Sequence, residues 1–251
     1  VKEYHRQLPI GILVAVEEEF RAVSRRLTAL PFDEYARANA DADIVLAKSG
    51  IGAGRACACA ETLIAKCHPR LLLIAGFCAG IEESAAPGDL ILASEVMDRT
   101  SGRRHLPDPR LIEAAQQARL PGIPLHTGRL LTVSRIARAA GEKQAIRSEI
   151  AGVTALDMET AGAVATAEAA SIPWLAVRSV TDGLHDNLPF DFSPFLCRTR
   201  GEILRSRVAL AALTHPWKIP ALIRLGSRST QAARHLAQYL ESVINALPES
   251  S

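Results

Sequence analysis

Carboxylates that follow apolar runs are the residues of this chain with the most chemistry available to them. Asp182 ends the segment Arg178-Ser179-Val180-Thr181-Asp182-Gly183, directly after the apolar run that starts at Trp174. A carboxyl at a strand tip can share a proton with a heteroatom of a bound ligand, and a positioned general acid contributes ~10²–10⁴-fold to a rate. The plain alternative is that Asp182 opens a turn before Gly183. Glu159, in Ala155-Leu156-Asp157-Met158-Glu159-Thr160-Ala161, stands where a strand passes into a helix. An ionised carboxylate there can accept two hydrogen bonds from a diol, and Met158 offers a soft apolar contact beside it. An acidic first turn that complements the helix dipole explains Glu159 as well. Glu17-Glu18-Glu19 follows the run Ile10–Val16. A charge run is usually a solvated face, yet one of the three can point inward as a base towards water, and spacing does not choose which.

Glycines mark two more places where backbone and ligand can meet. Gly50-Ile51-Gly52-Ala53-Gly54 and Gly76-Phe77-Cys78-Ala79-Gly80 both follow apolar runs and read as loops. Such turns let backbone N–H groups approach an anion or a ligand oxygen. Tight packing turns are the commoner use of the same pattern.

The elements that must hold these groups alternate along the chain. Apolar runs at Ile10–Val16, Asp43–Lys48, Leu71–Ala75, Asp89–Glu95, 126–133, 153–157 and Trp174–Val180 read as strands. Helices are predicted at 55–67, 110–119, 138–149 and 159–171, with His68-Pro69 and Ile172-Pro173 closing the first and last of these. Segments 99–110 and 183–194 are polar and proline-bearing and read as loops, and 195–246 as helices interrupted at Pro216 and Pro220. Strands separated by helices imply crossover connections and a largely parallel sheet covered on both faces. Ligands of such a sheet collect beyond the carboxyl ends of the strands, where three of the five loops carry acids.

Composition sets outer bounds. The chain has 251 residues, 48% hydrophobic and 22% charged, which is enough for one large α/β domain with a buried core. Aromatic residues are only 4%, so the core must be built from Ala, Leu, Ile and Val. A net charge of +2 gives no basis for a nucleic-acid partner. The run Leu8–Val16 ends in three glutamates without a cleavage-site pattern, and no stretch reaches the ~20 apolar residues of a membrane span. The expectation is a cytoplasmic protein. Five cysteines without a C-x-x-C pair argue against a disulfide framework and against a structural zinc site, so no metal is expected.

Taken in order, the motifs resemble one family. Ile10-Gly11 and Glu17-Glu18-Glu19 come first, then Lys48-Ser49-Gly50-Ile51-Gly52, Gly76 to Gly80, and Pro87-Gly88-Asp89. Asp157-Met158-Glu159 and Arg178-Ser179-Val180-Thr181-Asp182 complete the series. This is similar to the nucleoside phosphorylase and nucleosidase superfamily, in particular its methylthioadenosine/S-adenosylhomocysteine nucleosidase branch, over residues 9 to 195. The resemblance implies a three-layer α/β fold with a mixed, barrel-like central sheet, often dimeric, and cleavage of a purine N-glycosidic bond without metal or organic cofactor. It implies that Glu19 activates water, that Met158 and Glu159 hold the ribose, and that Asp182, supported by Thr181, protonates N7 of the base. Phe190 is expected against the sugar or its 5′ substituent, and the base near Val133–Ile136.

Two departures bear on the nucleophile. Phe77 and Cys78 stand where the family usually carries small or hydroxyl residues, and Phe77 can fill space otherwise used by water or phosphate. The first loop also lacks the glycine-plus-arginine phosphate grip of the phosphorylases, which favours hydrolysis. Arg178 and the loop amides around Gly76 can still hold phosphate as a co-substrate. A catalytically degenerate nucleoside-binding module is the rival reading. An unrelated α/β hydrolase is the weaker one, since no G-x-S-x-G elbow is present.

Beyond the motifs lies a segment, 197–251, expected to be a helical extension of the same domain. From Arg198 to Leu240 it carries eight Arg or Lys and one acidic residue, Glu202, interleaved with Trp217, Ile219, Leu222, Ile223 and Leu225. Such a segment can rest on an anionic bilayer, or pack as a terminal helix pair with a solvated basic face. Together with Gly141-Glu142-Lys143 and Asp157-Met158-Glu159, it resembles the hopanoid-associated phosphorylases, which implies a lipid-linked adenosine, adenosylhopane, as substrate and contact with the inner membrane.

Overall fold

The computed structural model describes residues 8–33, 43–197, 199 and 201–247. Parts of the predicted domain, namely its first seven and last four residues, residues 34–42, and Arg198 and Arg200 of the basic segment, lie outside the described residues.

The strands form because their apolar runs are buried on both faces, as a sheet covered by helices requires. All five residues of β1 (Ile10–Val14) and of β8 (Val153–Asp157) are buried. β1 pairs in parallel with β3 (Ile44–Lys48) on one side and with the first half of β4 (Leu71–Gly80) on the other. The short β2 (Leu30–Pro31) lies at the edge beside β3. Beyond residue 74, β4 loses β1 as a neighbour, and at Ala79 and Gly80 it takes up β8 in antiparallel pairing.

The rest of the sheet closes on itself. β8 pairs in parallel with β7 (Leu125–Thr132), β7 with β5 (Leu90–Asp98), β5 antiparallel with β9 (Trp174–Asp182), and β9 in parallel with β4. The ring β4-β8-β7-β5-β9 is therefore a small mixed barrel, with β1, β3 and β2 extending from it and β6 (Arg104–His105) added to β5. The three-layer, barrel-like expectation holds. The largely parallel sheet read from helix–strand alternation does not, because two antiparallel seams close the ring.

Seven helices flank this sheet among the described residues: α1 (Glu17–Arg26), α2 (Ala53–Cys67), α3 (Pro109–Gln117), α4 (Ala140–Glu149), α5 (Thr160–Ala169), α6 (Arg205–Thr214) and α7 (Ile219–Ala246). In α2 the buried positions Ala56, Ala60, Leu63 and Cys67 make one stripe. His68, in the left-handed region at φ 46°, ends it ahead of Pro69. α2 packs on α5 closely enough that a Cβ at Gly162 would lie 2.1 Å from the carbonyl oxygen of Ala53, so glycine is required there. The second half of α7 is core: Leu236, Leu240 and Val243 are fully buried, and Tyr239 Oη donates to the Ala115 carbonyl at 2.6 Å. Each such aliphatic side chain contributes ~1.5–3 kcal/mol.

Three local expectations change. Gly76–Gly80 is strand, the second half of β4, and not a loop. Residues 196–203 carry a small hairpin of β10 (Leu196–Cys197) and β11 (Glu202–Ile203). Pro220 does not interrupt a helix but opens α7, where its missing N–H costs nothing.

Candidate active site

The site is built where β4 changes partners. Between its pairing with β1 and with β8, the edge of β4 is left to a side chain: Phe77 N donates to Glu19 Oε1 at 2.7 Å. The other oxygen, Oε2, accepts from Ala15 N at 2.8 Å and Val16 N at 2.9 Å, which caps the start of α1. Of the three consecutive glutamates only Glu19 is buried, at 2% exposure. Glu17 turns to Lys48, at 2.7 Å, and Glu18 to Arg205.

Arg178 lies beneath the same edge. It is 1% exposed on β9, with Nη2 2.6 Å from Asp157 Oδ2 and Nε donating to Thr160 Oγ1 at 3.1 Å. Its Nη1 is buried, has no hydrogen-bond partner, and lies 3.7 Å from Glu159 Oε2. The register pairs Arg178 with Gly76. A Cβ at 76 would stand 2.2 Å from Nη1 and 3.0 Å from Glu19 Oε1, so glycine is what lets the guanidinium and the glutamate both approach this strand. This is the work of the glycine read from sequence as a loop residue.

Glu159 is released from capping by its neighbour. Asp157 Oδ2 accepts from Thr160 N at 2.8 Å and Glu159 N at 3.2 Å, and Oδ1 accepts from Thr132 Oγ1 at 2.7 Å. Asp157 thus does what an acidic first turn would have done, and the Glu159 carboxylate reaches across to Gly52 N at 3.0 Å. Gly52 adopts φ 114° as it turns that N–H inward, a conformation suited to glycine. Three carboxylates, Glu19, Asp157 and Glu159, converge on one guanidinium. Burial pushes the Glu19 carboxyl up against the opposing pull of Arg178. Burial, reinforced by Asp157 and Glu19 and opposed by Arg178, pushes Glu159 up to about 7.

Asp182 forms a second acidic station. Thr181 is an extra residue in the β9 ladder, because Cys78 pairs with Val180 and the next residue, Ala79, with Asp182. Such a bulge re-aims the side chain after it. Phe77 and Ala79 are the two β4 residues that keep partial exposure, so Asp182 joins the open face of the strand. Thr181 Oγ1 donates to Asp182 Oδ1 at 2.8 Å, also lying 3.3 Å from the Cys78 carbonyl. Lys143 Nζ donates to Asp182 Oδ2. Met158 packs beside Leu131, Val133, Ala137 and Leu184, and Val133 N donates to the Asp157 carbonyl at 2.8 Å.

Two other expected site residues lie outside this cluster of acids. Cys78 is core, and burial raises its thiol well above the ordinary range, so only its carbonyl serves the site. Phe190 is buried in an aromatic group of the C-terminal segment, 6.2 Å from Phe195 and 6.1 Å from His215 between ring centres, with Lys218 Nζ 4.8 Å above its ring. Leu188 N and Asn187 bond to Arg138 and Ala140, which lays this loop over the turn after β7. A cavity of about 400 Å³ is lined there by Val133, Ser134, Arg135, Ala137 and Ile146, but by none of Glu19, Glu159 or Asp182.

Sequence reasoning missed Lys143 and the capping role of Asp157. Lys143 had a signal: it shares a helical face with Ile146, three residues on, and Ile150, and that face is apolar.

Comparisons with known proteins bear on the family and the fold. Residues 9–202 match the family model of the phosphorylase superfamily. A 5′-methylthioadenosine/S-adenosylhomocysteine nucleosidase of Exiguobacterium is 25% identical over 212 residues, covering 75% of this chain and 91% of the relative. The nucleosidase of Neisseria meningitidis in complex with methylthio-immucillin-A superimposes with a TM-score of 0.71 at 19% identity, over 96% of this chain and 100% of that one. Futalosine hydrolase of Helicobacter pylori gives 0.72 at 17% identity, over 96% and 99%.

Proposed function

The chain belongs to the phosphorylase superfamily, and from that premise we propose that it cleaves the N-glycosidic bond of an adenine nucleoside by hydrolysis. The observation that carries this reading is the pair of buried acidic stations on adjoining strands, Asp182 at the tip of β9 and Glu19 with Glu159 around Arg178 beside β4. A glycosidic bond to a purine breaks when the base is protonated as it leaves and the sugar is held while it turns cationic. In this reading Asp182 protonates N7, and Glu159 accepts from the ribose hydroxyls with Met158 against the sugar. Thr181 orients Asp182. Stabilisation of the developing oxocarbenium charge by nearby carboxylates supplies much of the acceleration.

Electrostatics favour water over phosphate. Arg178 is committed to Asp157 and Thr160 and has only Nη1 to offer. A phosphate dianion would have to enter among three carboxylates sharing that one guanidinium, whereas a water molecule can bond to Nη1 and Glu19 without added charge. In this reading the base lies near Val133, whose loop lines the cavity beside β7.

The raised Glu159 carboxyl gives a pH dependence with a definite sign. An acid whose titration is shifted up to about 7 is neutral below that pH and becomes a two-acceptor carboxylate above it. The expected kcat/KM therefore rises as pH rises through about 7, and the rise flattens in Glu159→Gln. A rise that persists unchanged in that variant assigns the titration to Glu19 instead.

The 5′ side of the substrate faces the C-terminal segment in this reading. In the segment that packs on Phe190, Leu210, Leu213, Trp217 and Ile223 are 65–75% exposed, and Arg205, Arg207, Lys218, Arg224 and Arg228 are interleaved with them along the chain. An apolar corner with a basic rim suits an anionic bilayer surface, and hence an adenosine with a large apolar 5′ group, such as the lipid-linked adenosylhopane. No helix among the described residues is long and apolar enough to cross a membrane. The proposal includes a homodimer in the cytoplasm or at the inner membrane.

One experiment tests the whole reading: mass spectrometry of the sugar product, with and without phosphate, over adenosine, methylthioadenosine and a 5′-alkyl adenosine in anionic vesicles. Free sugar in both conditions, fastest for the alkyl substrate and slowed by Glu19→Gln, is expected. Sugar 1-phosphate overturns hydrolysis, and a preference for methylthioadenosine overturns the lipid-linked substrate. Binding without adenine release would leave a nucleoside-binding module, with Phe77 filling the nucleophile's space.

A further inference from the structure

Lys143 is the one lysine among the described residues classed as buried, and it is completely so, at 0% exposure in the first turn of α4. A lysine ammonium removed from water costs several kcal/mol unless it is paired and all its protons are bonded. Here they are: Nζ donates to Asp182 Oδ2, to the Gly183 carbonyl at 2.8 Å and to the Asp186 carbonyl at 3.1 Å. The Asp186 carboxylate in turn accepts from Gly183 N at 2.8 Å and from Arg228 at 2.9 Å. One ammonium thus gathers the tip of β9 and the loop behind it, and it occupies one oxygen of Asp182 while Thr181 bonds the other. The side chain of Asp182 keeps 9% exposure where that of Lys143 has none, so the carboxyl lies between the ammonium and the open side of the strand.

We propose that Lys143 is a positioning residue for the proton donor: it fixes the Asp182 carboxyl towards the departing base and supplies the countercharge when that carboxyl becomes an anion. The inference rests on Asp182 acting as the general acid, as proposed above. In the step concerned, the Asp182 carboxylate, ion-paired in the free enzyme, first takes up a proton from solvent as the nucleoside binds; that O–H bond then breaks and an N7–H bond forms, while the electron pair of the C1′–N9 bond goes to the base. Asp182 is left as a carboxylate, bonded to an ammonium that was already in place and does not have to be recruited from solvent. Preorganised charge of this kind acts without reorganisation at the moment of reaction.

A role exercised through Asp182 has a signature that a purely structural one lacks. Adenine must be protonated to leave, but p-nitrophenolate leaves p-nitrophenyl β-D-ribofuranoside unaided. In Lys143→Gln the kcat for adenosine should fall by ~10–10²-fold with KM nearly unchanged, a part of the ~10²–10⁴-fold that the general acid itself contributes. The p-nitrophenyl riboside should lose far less, so that the ratio of the two kcat values drops about tenfold or more. Lys143→Arg, which keeps the cation, should restore part of that ratio. An equal fall for both substrates, or no fall for either, overturns the proposal. If Lys143→Gln alone does not fold, the same comparison is made on Asp182→Asn with and without Lys143→Gln, a neutral pair of amides. There the lysine change should cost less than about threefold further, because residues acting through one another are not additive. Additive losses overturn the proposal. A wild-type enzyme that releases neither adenine nor p-nitrophenol removes the glycosidase reading itself, and the lysine's role with it.

Discussion

Asparagine in place of Asp182 should lower kcat on an adenine nucleoside by ~10²-fold or more, the ~10²–10⁴-fold that a positioned general acid supplies. The amide is nearly the same size and can still bond to N7, but it has no acidic proton to give. The base must then leave as an anion or wait for solvent. The fold should survive with reduced stability, since among the described residues Asp182 is the carboxylate bonded to Lys143 and its two other acceptors are neutral carbonyls. Leaving a buried charge without its partner costs up to ~3–5 kcal/mol. The check is an adenine-release assay run well below the melting point of the variant, beside a thermal melt. Turnover like that of the wild type would take the proton-donor role away from Asp182, whatever the melt shows.

The second large effect concerns stability. Methionine at Arg178 should lower the melting temperature by about 10 °C, from an expected loss of ~3–5 kcal/mol and the usual entropy of unfolding for a chain of this size. Arg178 is the cation shared by Asp157, Glu159 and Glu19, and all four side chains are buried. Without it the carboxylates face one another in a medium that screens poorly. The sign with pH follows from the raised carboxyls. Glu159, pushed up to about 7, and Glu19, pushed up by burial, take up protons as pH falls, so the variant should recover stability relative to wild type on acidification. Thermal melts of both proteins across pH 5–9 read this directly. A deficit that stays constant over the range, or widens towards acid, would show that the cluster is not held together by charge. Lysine at 178 should be intermediate, because one ammonium cannot span Asp157 and Thr160 while also facing Glu159.

Both expectations rest on residues whose type was visible in the chain but whose placement was not. The acids at Asp182, Glu159 and Glu19 could be picked out because each follows an apolar run, and the end of a buried strand is where a carboxylate meets a ligand. The runs themselves, and the helices between them, were legible because burial on both faces leaves a continuous apolar stretch in a strand and burial on one face leaves a 3.6-residue period in a helix. Motif order then pointed to the barrel-like fold, which alternation of elements alone would have made a parallel sheet.

Tertiary structure decided what depends on distant partners. Whether Gly76–Gly80 is a turn or a strand depends on β9, about a hundred residues later, which pairs along it and places Arg178 over Gly76. The antiparallel seams that close the barrel join segments with no local signal of direction. Which of three adjacent glutamates turns inward was set by the gap where β4 exchanges β1 for β8. Asp157 and Glu159 divided capping and site duties according to where Thr132 and Gly52 came to lie. Lys143 had the clearest local mark, a charge on an apolar helical face, yet its meaning came only with Asp182, 39 residues on. Local sequence records which face of an element is buried. What a buried polar group is bonded to is settled by chain closure, and that is the information the site required.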